Sequence, residues 1–480
     1  MGLKEKTLSG IIWSVGQQFG AKVIGFLITI VLARLLAPSE FGLIAMLSVL
    51  VALGNNLSDS GLSSSLIRST EITAREYSTV FFFNLIGSCV IYLILFFAAP
   101  AIASFYDQNI LTKIVRVYGL ALIINAFFCI QNACLVRNMD FKTQTNIQLP
   151  ASIGGGILGI VLAKMGYGVW SLVWMNLITS FLSTLLHWIY SDWRPIFVFD
   201  YPSFKKHFHF GYKMTLSGLL NTVYQNIYTL IIGKYYSATQ LGFYSRADSM
   251  SQLPIGIISS TVNTVTYPMF SKIADDDHKL KAVNKRLIQQ LIFWIAPILI
   301  LLCIIAEPLF RLVLTEKWLP AVPYFQILCL SGIIYPLQSY NLNILKVKGR
   351  SDSLLRVEFI KKSLSVIGIF GVISFGIYGL LYFQLFFNFF GYYINTIYSG
   401  KLINYHLKEQ IFDFLPTILL SIIVGLFSYA LNVFLISHLN LIAPFEILII
   451  STFYFAFYLS VSYLVKMNAI TDFTNLIFKR

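Results

Sequence analysis

Apolar residues run in blocks of twenty or more over nearly the whole chain, separated by charged residues or by Pro and Gly. A bilayer core of ~30 Å needs about 20 residues of helix, so each block predicts a membrane span. The blocks fall at about 10–36, 41–66, 78–104, 111–135, 146–164 and 168–190, then 210–233, 244–270, 287–314, 319–345, 354–375 and 377–400, and lastly 413–437 and 443–466. That makes about 14 helices, and an even number puts both termini on one side. Of the 35 Lys and Arg, 23 fall in segments on the side of the N-terminus. Seven (Arg34, Lys113, Arg116, Lys164, Lys234, Arg311, Lys317) fall on the other, and five (Lys22, Lys213, Arg246, Lys361, Lys362) within or at the rims of spans. The positive-inside rule therefore predicts cytoplasmic termini. All loops are short, which leaves no room for an extramembrane domain.

Composition agrees with the pattern. Of 480 residues, 57% are hydrophobic and 12% charged, about half the charge a soluble domain carries. A soluble enzyme and a nucleic-acid-binding domain are both excluded, and the net charge of +14 reads as topology before it reads as a partner. The five cysteines (Cys89, Cys129, Cys134, Cys303, Cys329) sit in apolar runs without ligand spacing and read as small hydrophobes. The N-terminal segment fits neither a signal peptide nor a myristoylation motif. Asp275-Asp276-Asp277-His278 reads as a solvated loop face, as do His207 and His209. No P-loop, HExxH or GxSxG is present, so no catalytic residue, metal or organic cofactor is expected. Uphill work would then draw on an ion gradient, H+ or Na+, or on consumption of the product.

An internal repeat organises the spans. Ile30-Val-Leu-Ala-Arg-Leu-Leu-Ala-Pro-Ser-Glu-Phe-Gly-Leu43 aligns without gaps on Leu230-Ile-Ile-Gly-Lys-Tyr-Tyr-Ser-Ala-Thr-Gln-Leu-Gly-Phe243, with Arg34 on Lys234 and Gly42 on Gly242. The chain parses as an N-lobe of helices 1–6 (1–200), a C-lobe of helices 7–12 (201–400), and a C-terminal helix pair, 13–14, with a tail (401–480). Repeats of six spans keep one orientation, which predicts a pseudo-twofold axis along the membrane normal and a substrate site between the lobes, as in transporters.

Polar residues inside spans are costly and mark cavities or helix contacts. Ser14, Gln18 and Lys22 share one face of the first span. Asn55 and Asp59, i,i+4 on the second, offer a counter-face, Lys22 and Asp59 being either a buried pair or part of a cavity. Ser217, Asn221, Gln225 and Thr229 form a stripe on the seventh span, with Lys213 a turn below. Gln384, Asn388, Tyr392 and Asn395 on the twelfth, and Asn176, Ser180, Ser183 and His187 on the sixth, read either as cavity lining or as interhelical hydrogen bonds. Arg246 lies near the outer end of span eight, and Glu358 is spaced to neutralise Lys362, leaving Lys361 near the cytoplasmic mouth. The candidate cavity set is therefore Gln18, Lys22, Asn55, Asp59, Lys213, Asn221, Gln225, Arg246 and Lys361. Its cations favour an anionic substrate, since phosphate groups call for Lys, Arg and amide donors. The last two spans carry almost no strong polar groups and suit lipid or acyl chains.

Several motifs resemble one family. Leu32-Ala-Arg-Leu-Leu-Ala-Pro-Ser-Glu-Phe-Gly42, Leu57-Ser-Asp-Ser-Gly61, Leu241-Gly-Phe-Tyr-Ser-Arg-Ala247, Tyr267-Pro-Met-Phe-Ser-Lys272 and Glu316-Lys-Trp-Leu-Pro-Ala-Val-Pro323 look like Wzx-type polysaccharide and O-antigen flippases. Within the multidrug/oligosaccharidyl-lipid/polysaccharide exporter superfamily, they resemble the colanic-acid-exporter-like branch. The resemblance implies a non-enzymatic, alternating-access flippase of the bacterial inner membrane. Its substrate would be an undecaprenyl-pyrophosphate-linked oligosaccharide, with Lys22, Lys213 and Arg246 as cavity cations and the last helix pair holding the polyprenyl tail. Membrane lipids and polysaccharide-assembly proteins are the other implied partners. Multidrug relatives carry an acidic coupling residue in the first or seventh helix, and this chain has none there. The rival readings are an ion-coupled multidrug/cation antiporter and a membrane glycosyltransferase or polymerase.

Overall fold

A computed structural model describes residues 20–69, 72–439 and 442–472. Among them every regular element is helical and none is a strand: the chain is an all-α polytopic membrane protein. It resolves into two compact units, Met1–Gly242 and Phe243–Arg480.

The first unit runs α1 (20–35), α2 (Pro38–Asp59), α3 (Leu62–Arg68), α4 (Ala74–Phe105), α5 (Ile110–Tyr118), α6 (Leu120–Ala126), α7 (Cys129–Arg137), α8 (Phe141–Lys164), α9 (Val169–Tyr190), α10 (Tyr201–Gln225) and α11 (Ile227–Tyr235). Starts follow the chemistry of helix ends, where the first N–H groups lack partners. Pro38 opens α2 while Glu40 reaches back to accept from the Ala37 N–H at 2.6 Å. Thr73 and Glu76 form a reciprocal capping box on α4, and Asp140 and Asp200 cap α8 and α10. At the end of α2 the chain reverses through Ser60 and Gly61, both with positive φ. A Cβ on Gly61 would stand 2.5 Å from the Gly211 carbonyl oxygen of α10, so glycine serves both the backbone conformation and the contact.

The helix α12 (Ala238–Ser271) leaves this unit and enters the second. Its first turn crosses the first turn of α2 reciprocally. A Cβ on Gly42 would lie 1.8 Å from the Ala238 carbonyl oxygen, and a Cβ on Gly242 would lie 1.8 Å from that of Pro38. Positions 38 and 42 meet 242 and 238, their own counterparts at an offset of 200. This is the signature of a local twofold, centred on the repeated segment.

The second unit continues with α13 (Asp277–Ile304), α14 (Ala306–Val313), a 3-10 turn (Glu316–Ala321), α15 (Val322–Val347), α16 (Ser351–Val372), a second 3-10 turn (Ile373–Phe375), α17 (Gly376–Gly400), α18 (Leu407–Leu439) and α19 (Ala443–Leu464). Asp276 is exposed, as expected of a solvated loop face, and also caps α13, its carboxylate accepting from the Lys279 N–H at 2.9 Å. Its neighbour Asp277 pairs with Lys348 at 2.5 Å.

Among the described residues, nine helical segments are long and apolar enough to cross a bilayer, or ten if the bent pair Ile110–Ala126 and Cys129–Arg137 is one crossing. One of the nine, Ser351–Gly400, is 50 residues long, far beyond one crossing. Its halves lie side by side, because a Cβ on Gly368 would stand 2.2 Å from the Phe383 ring. The described part of each of the fourteen expected stretches falls on a helix or a broken helix. Those outside the apolar set are α1, described from residue 20, and the polar α10–α11 and α12.

Candidate functional site

The helix α10 is long enough to cross a membrane core, yet only His207 and Gly211 on it are buried. Lys213, Ser217 and Asn221, successive at i,i+4, are exposed or half-exposed along one stripe, and Gln225 follows them. Leu216, Leu220 and Val223 are exposed on the adjoining stripe. A helix with an open polar stripe beside an open apolar one suits a boundary between water and hydrocarbon. Its remaining side is held to α2, where the Asn56 amide donates to Thr222 Oγ1 at 2.8 Å.

Expected to be continuous over 210–233, the seventh span breaks at Asn226. That side chain donates to the Thr222 carbonyl at 2.8 Å, and the backbone leaves the helical region. Thr229 consequently belongs to α11, off the stripe of Lys213, Ser217 and Asn221. The Lys213 ammonium stands 5.8 Å from the Tyr212 ring centroid, within cation–π reach.

Lys22 is exposed on α1, and among the described residues it forms no ion pair with Asp59. The reason is axial. Counting at about 1.5 Å per residue from the α1–α2 turn, Lys22 stands roughly 20 Å along one helix and Asp59 roughly 32 Å along the other. Asp59 Oδ1 instead accepts from the Ser63 N–H at 3.3 Å, from the Ser63 hydroxyl, and from Cys129 Sγ at 3.5 Å. Cys129 is thus a polar partner where a small hydrophobe was expected. Asn55 is half-buried beside Asn56, and Gln18 lies outside the described residues.

In the second unit Arg246 is half-buried on α12. Lys361 is buried and pairs with Glu358, its i,i+3 neighbour, at 2.6 Å. Of the twelfth-span stripe, Asn388, Tyr392 and Asn395 join α17 to its neighbours. Asn388 donates to Ser331 and Asn395 to Gln338 on α15, while the Tyr392 hydroxyl donates to Gln410 on α18.

His207, expected on a loop, is buried in the first unit. Its Nδ1 lies 2.8 Å from Ser65 Oγ and its Nε2 lies 3.5 Å from Glu76, which also pairs with Lys206 at 3.0 Å. Burial pushes the His207 imidazole down from its ordinary value, against the pull of Glu76.

The sequence profile of the family described as "Polysaccharide biosynthesis protein" matches residues 31–323, more than half of the chain. The chain belongs to that family. Polysaccharide biosynthesis proteins similar to it include the lipopolysaccharide biosynthesis protein WzxC of Escherichia coli, 26% identical over 76% of this chain and 75% of that one. The teichuronic acid biosynthesis protein TuaB of Bacillus subtilis is 28% identical over 61% of each. Among solved structures, the lipid II flippase MurJ in its inward closed conformation matches with a TM-score of 0.74. It covers 96% of this chain and 100% of that one at 16% identity, a likeness of fold.

Proposed function

We propose that this polysaccharide biosynthesis protein is a transporter, a flippase that carries an undecaprenyl-pyrophosphate-linked oligosaccharide from the cytoplasmic to the periplasmic leaflet of the bacterial inner membrane. The observation that carries the reading is the open polar stripe of α10, with Lys213 on it, in a member of this family. Water and sugar hydroxyls suit Ser217, Asn221 and Gln225. Lys213 and Lys22 are the open cations for the pyrophosphate, whose oxygens are strong acceptors for ammonium donors. Arg246 stands in the second rank, being half-buried. Lys361 is assigned to its bond with Glu358 rather than to substrate.

In this proposal all fourteen stretches cross the membrane and both termini are cytoplasmic. Lobes 1–200 and 201–400 alternate access, driven by an ion gradient. The polyprenyl tail stays in the bilayer against α18 and α19, whose Leu419, Ile423, Leu426, Leu448 and Phe453 are exposed. Polysaccharide-assembly proteins would receive the flipped unit.

The test is reconstitution in liposomes carrying a short undecaprenyl-pyrophosphate oligosaccharide, with exposure read by an external glycan-cleaving enzyme. Cleavage should exceed the outer-leaflet fraction only when the protein is present. Lys213→Ala should cut the rate roughly tenfold or more, the effect of one lost charge-assisted contact, and Lys22→Ala similarly. Cleavage held at the outer-leaflet fraction, with and without imposed proton and sodium gradients and with two glycans, would overturn the reading.

A further inference from the structure

Residues 191–200, between α9 and α10, form no regular element, yet the segment is pinned to α4. The Ile196 N–H donates to Ser78 Oγ at 3.0 Å and the Asp200 N–H donates to Thr79 Oγ1 at 3.0 Å. Both hydroxyls are fully buried near the start of α4, and they donate in turn to the Ala74 and Arg75 carbonyls. Trp193 packs edge-on against Phe81, and Arg194 closes the end of α9 by donating to the Trp188 carbonyl at 2.7 Å. Between these fixings Ile196, Phe197, Val198 and Phe199 are all exposed, Phe197 at 94%. The Phe197 ring centroid stands 5.4 Å from that of Phe82, and the Phe199 centroid 5.6 Å from that of Phe204.

Neither water nor hydrocarbon suits such a segment. Four consecutive apolar side chains, two of them Phe, are held open on a fixed backbone, which in water would be an unpartnered apolar patch. The bilayer core is closed to it as well, because irregular backbone exposed to lipid finds no partners there. Among the described residues the N–H groups of Phe197 and Phe199 meet no acceptor. The boundary between headgroups and acyl chains satisfies both demands. It offers oxygen acceptors to the N–H groups and hydrocarbon to the rings, and aromatic side chains gather there. Phe82, against the Phe197 ring, lies about 6 Å along α4 beyond Ser78, where the apolar stretch of this crossing helix begins. That is the depth to which interfacial side chains sink. Arg194 on one side of the run, and Lys205 and Lys206 on the other, are exposed and suit the phosphate layer.

We propose that residues 196–199 are a membrane anchor, seated on phospholipid at the boundary between headgroups and acyl chains. The inference asks that the chain span a bilayer and does not rest on which substrate it carries.

The test reads depth in the full-length protein, reconstituted without glycolipid in vesicles of phosphatidylethanolamine and phosphatidylglycerol. Phe197→Trp adds one fluorophore to the seven native tryptophans, and subtracting the wild-type emission isolates it. Phospholipids brominated close to the headgroup should quench the added emission about twofold more than lipids brominated near the chain ends. Acrylamide should quench it less than it quenches free tryptophan. Phe199→Trp repeats the measurement within the same run, and since both side chains are exposed the larger ring has room. Quenching by acrylamide and not by brominated lipid would put the run in water and overturn the proposal. Protection from both would mean that protein covers it, and stronger quenching from the chain ends would place it in the hydrocarbon core; either result overturns the proposal too. Flipping in the liposome assay with no lipid quenching here would overturn the anchor alone. Lipid quenching without flipping would overturn only the functional reading.

Discussion

Two buried polar clusters in this molecule are built from the same kinds of side chain and come out differently. In the second unit, Asn341, Tyr392, Thr396, Ser399 and Gln410 are all buried and close on themselves. Asn341 donates to Thr396 at 3.0 Å and accepts from Ser399 at 2.9 Å. Gln410 accepts from the Tyr392 hydroxyl and donates to the Tyr405 carbonyl at 2.9 Å. In the first unit the group around Asp59, which Asn84 joins by donating to the Cys129 sulfur at 3.6 Å, leaves Asn84 Oδ1 and the Ser88 and Ser58 hydroxyls without partners. A closed network holds three helices, α15, α17 and α18, in one arrangement and has nothing left to offer a ligand. An open one of similar burial retains unspent polar groups. Of the twelfth-span stripe, Asn388 and Tyr392 donate across helices to Ser331 and Gln410, whereas Gln384 Oε1 and Asn395 Oδ1 are buried without a partner among the described residues.

The largest effect that would break this contrast is predicted at the closed network. Gln410→Ala removes the acceptor used by Tyr392, Asn341 and Thr396 and leaves buried donors unmet. Stability should fall by about 1–3 kcal/mol, read as a lower melting temperature in detergent. Little change in melting temperature would mean that the network is not the joint described.

The open cluster should behave in the opposite sense. Asn84→Leu replaces a buried amide, one end of which has no partner, by an apolar group of similar size. It should be neutral or should raise stability by up to about 1 kcal/mol, and Ser88→Ala should do the same on a smaller scale. Destabilisation comparable to Gln410→Ala, measured in the same detergent, would show that the Asn84 oxygen has a partner after all and would erase the distinction.

The fold was largely legible in the sequence because apolar blocks and the bilayer's thickness constrain each other, and the described part of every expected stretch falls on helix. Gly42 and Gly242, aligned at an offset of 200, are both required by close backbone approach rather than by composition. The candidate site was legible one residue at a time. Asp59 stands out in the sequence as an intramembrane acid, but spacing alone sets it opposite Lys22 on the neighbouring helix. Its real partner Ser63 comes within reach only because the chain turns at Ser60 and Gly61. Cys129 has no spacing that distinguishes a hydrogen-bonding thiol from a filler. On α16, i,i+3 and i,i+4 are both neighbours on a helix, so spacing alone did not single out Lys361 as a partner of Glu358. Asn226 ends α10 by capturing a carbonyl, a choice open to any Asn and made only in context.

A third cluster sharpens the comparison with the smallest expected effect. His207 is sealed between Ser65 and Glu76, with Lys206 beside it, so it resembles the closed network, yet it can titrate. Burial holds its pKa below the ordinary 6.5, so between the two values the unfolded chain binds more protons than the folded one. Stability therefore rises with pH across that window. The contribution is complete above about pH 6.5 and is lost as pH falls towards the folded pKa. Melting temperature should decline from pH 7 to pH 5.5 in the wild type and decline less in His207→Asn. Equal slopes would remove His207 from the pH dependence. A closed cluster that answers to protons would show that partner count and titratability act separately.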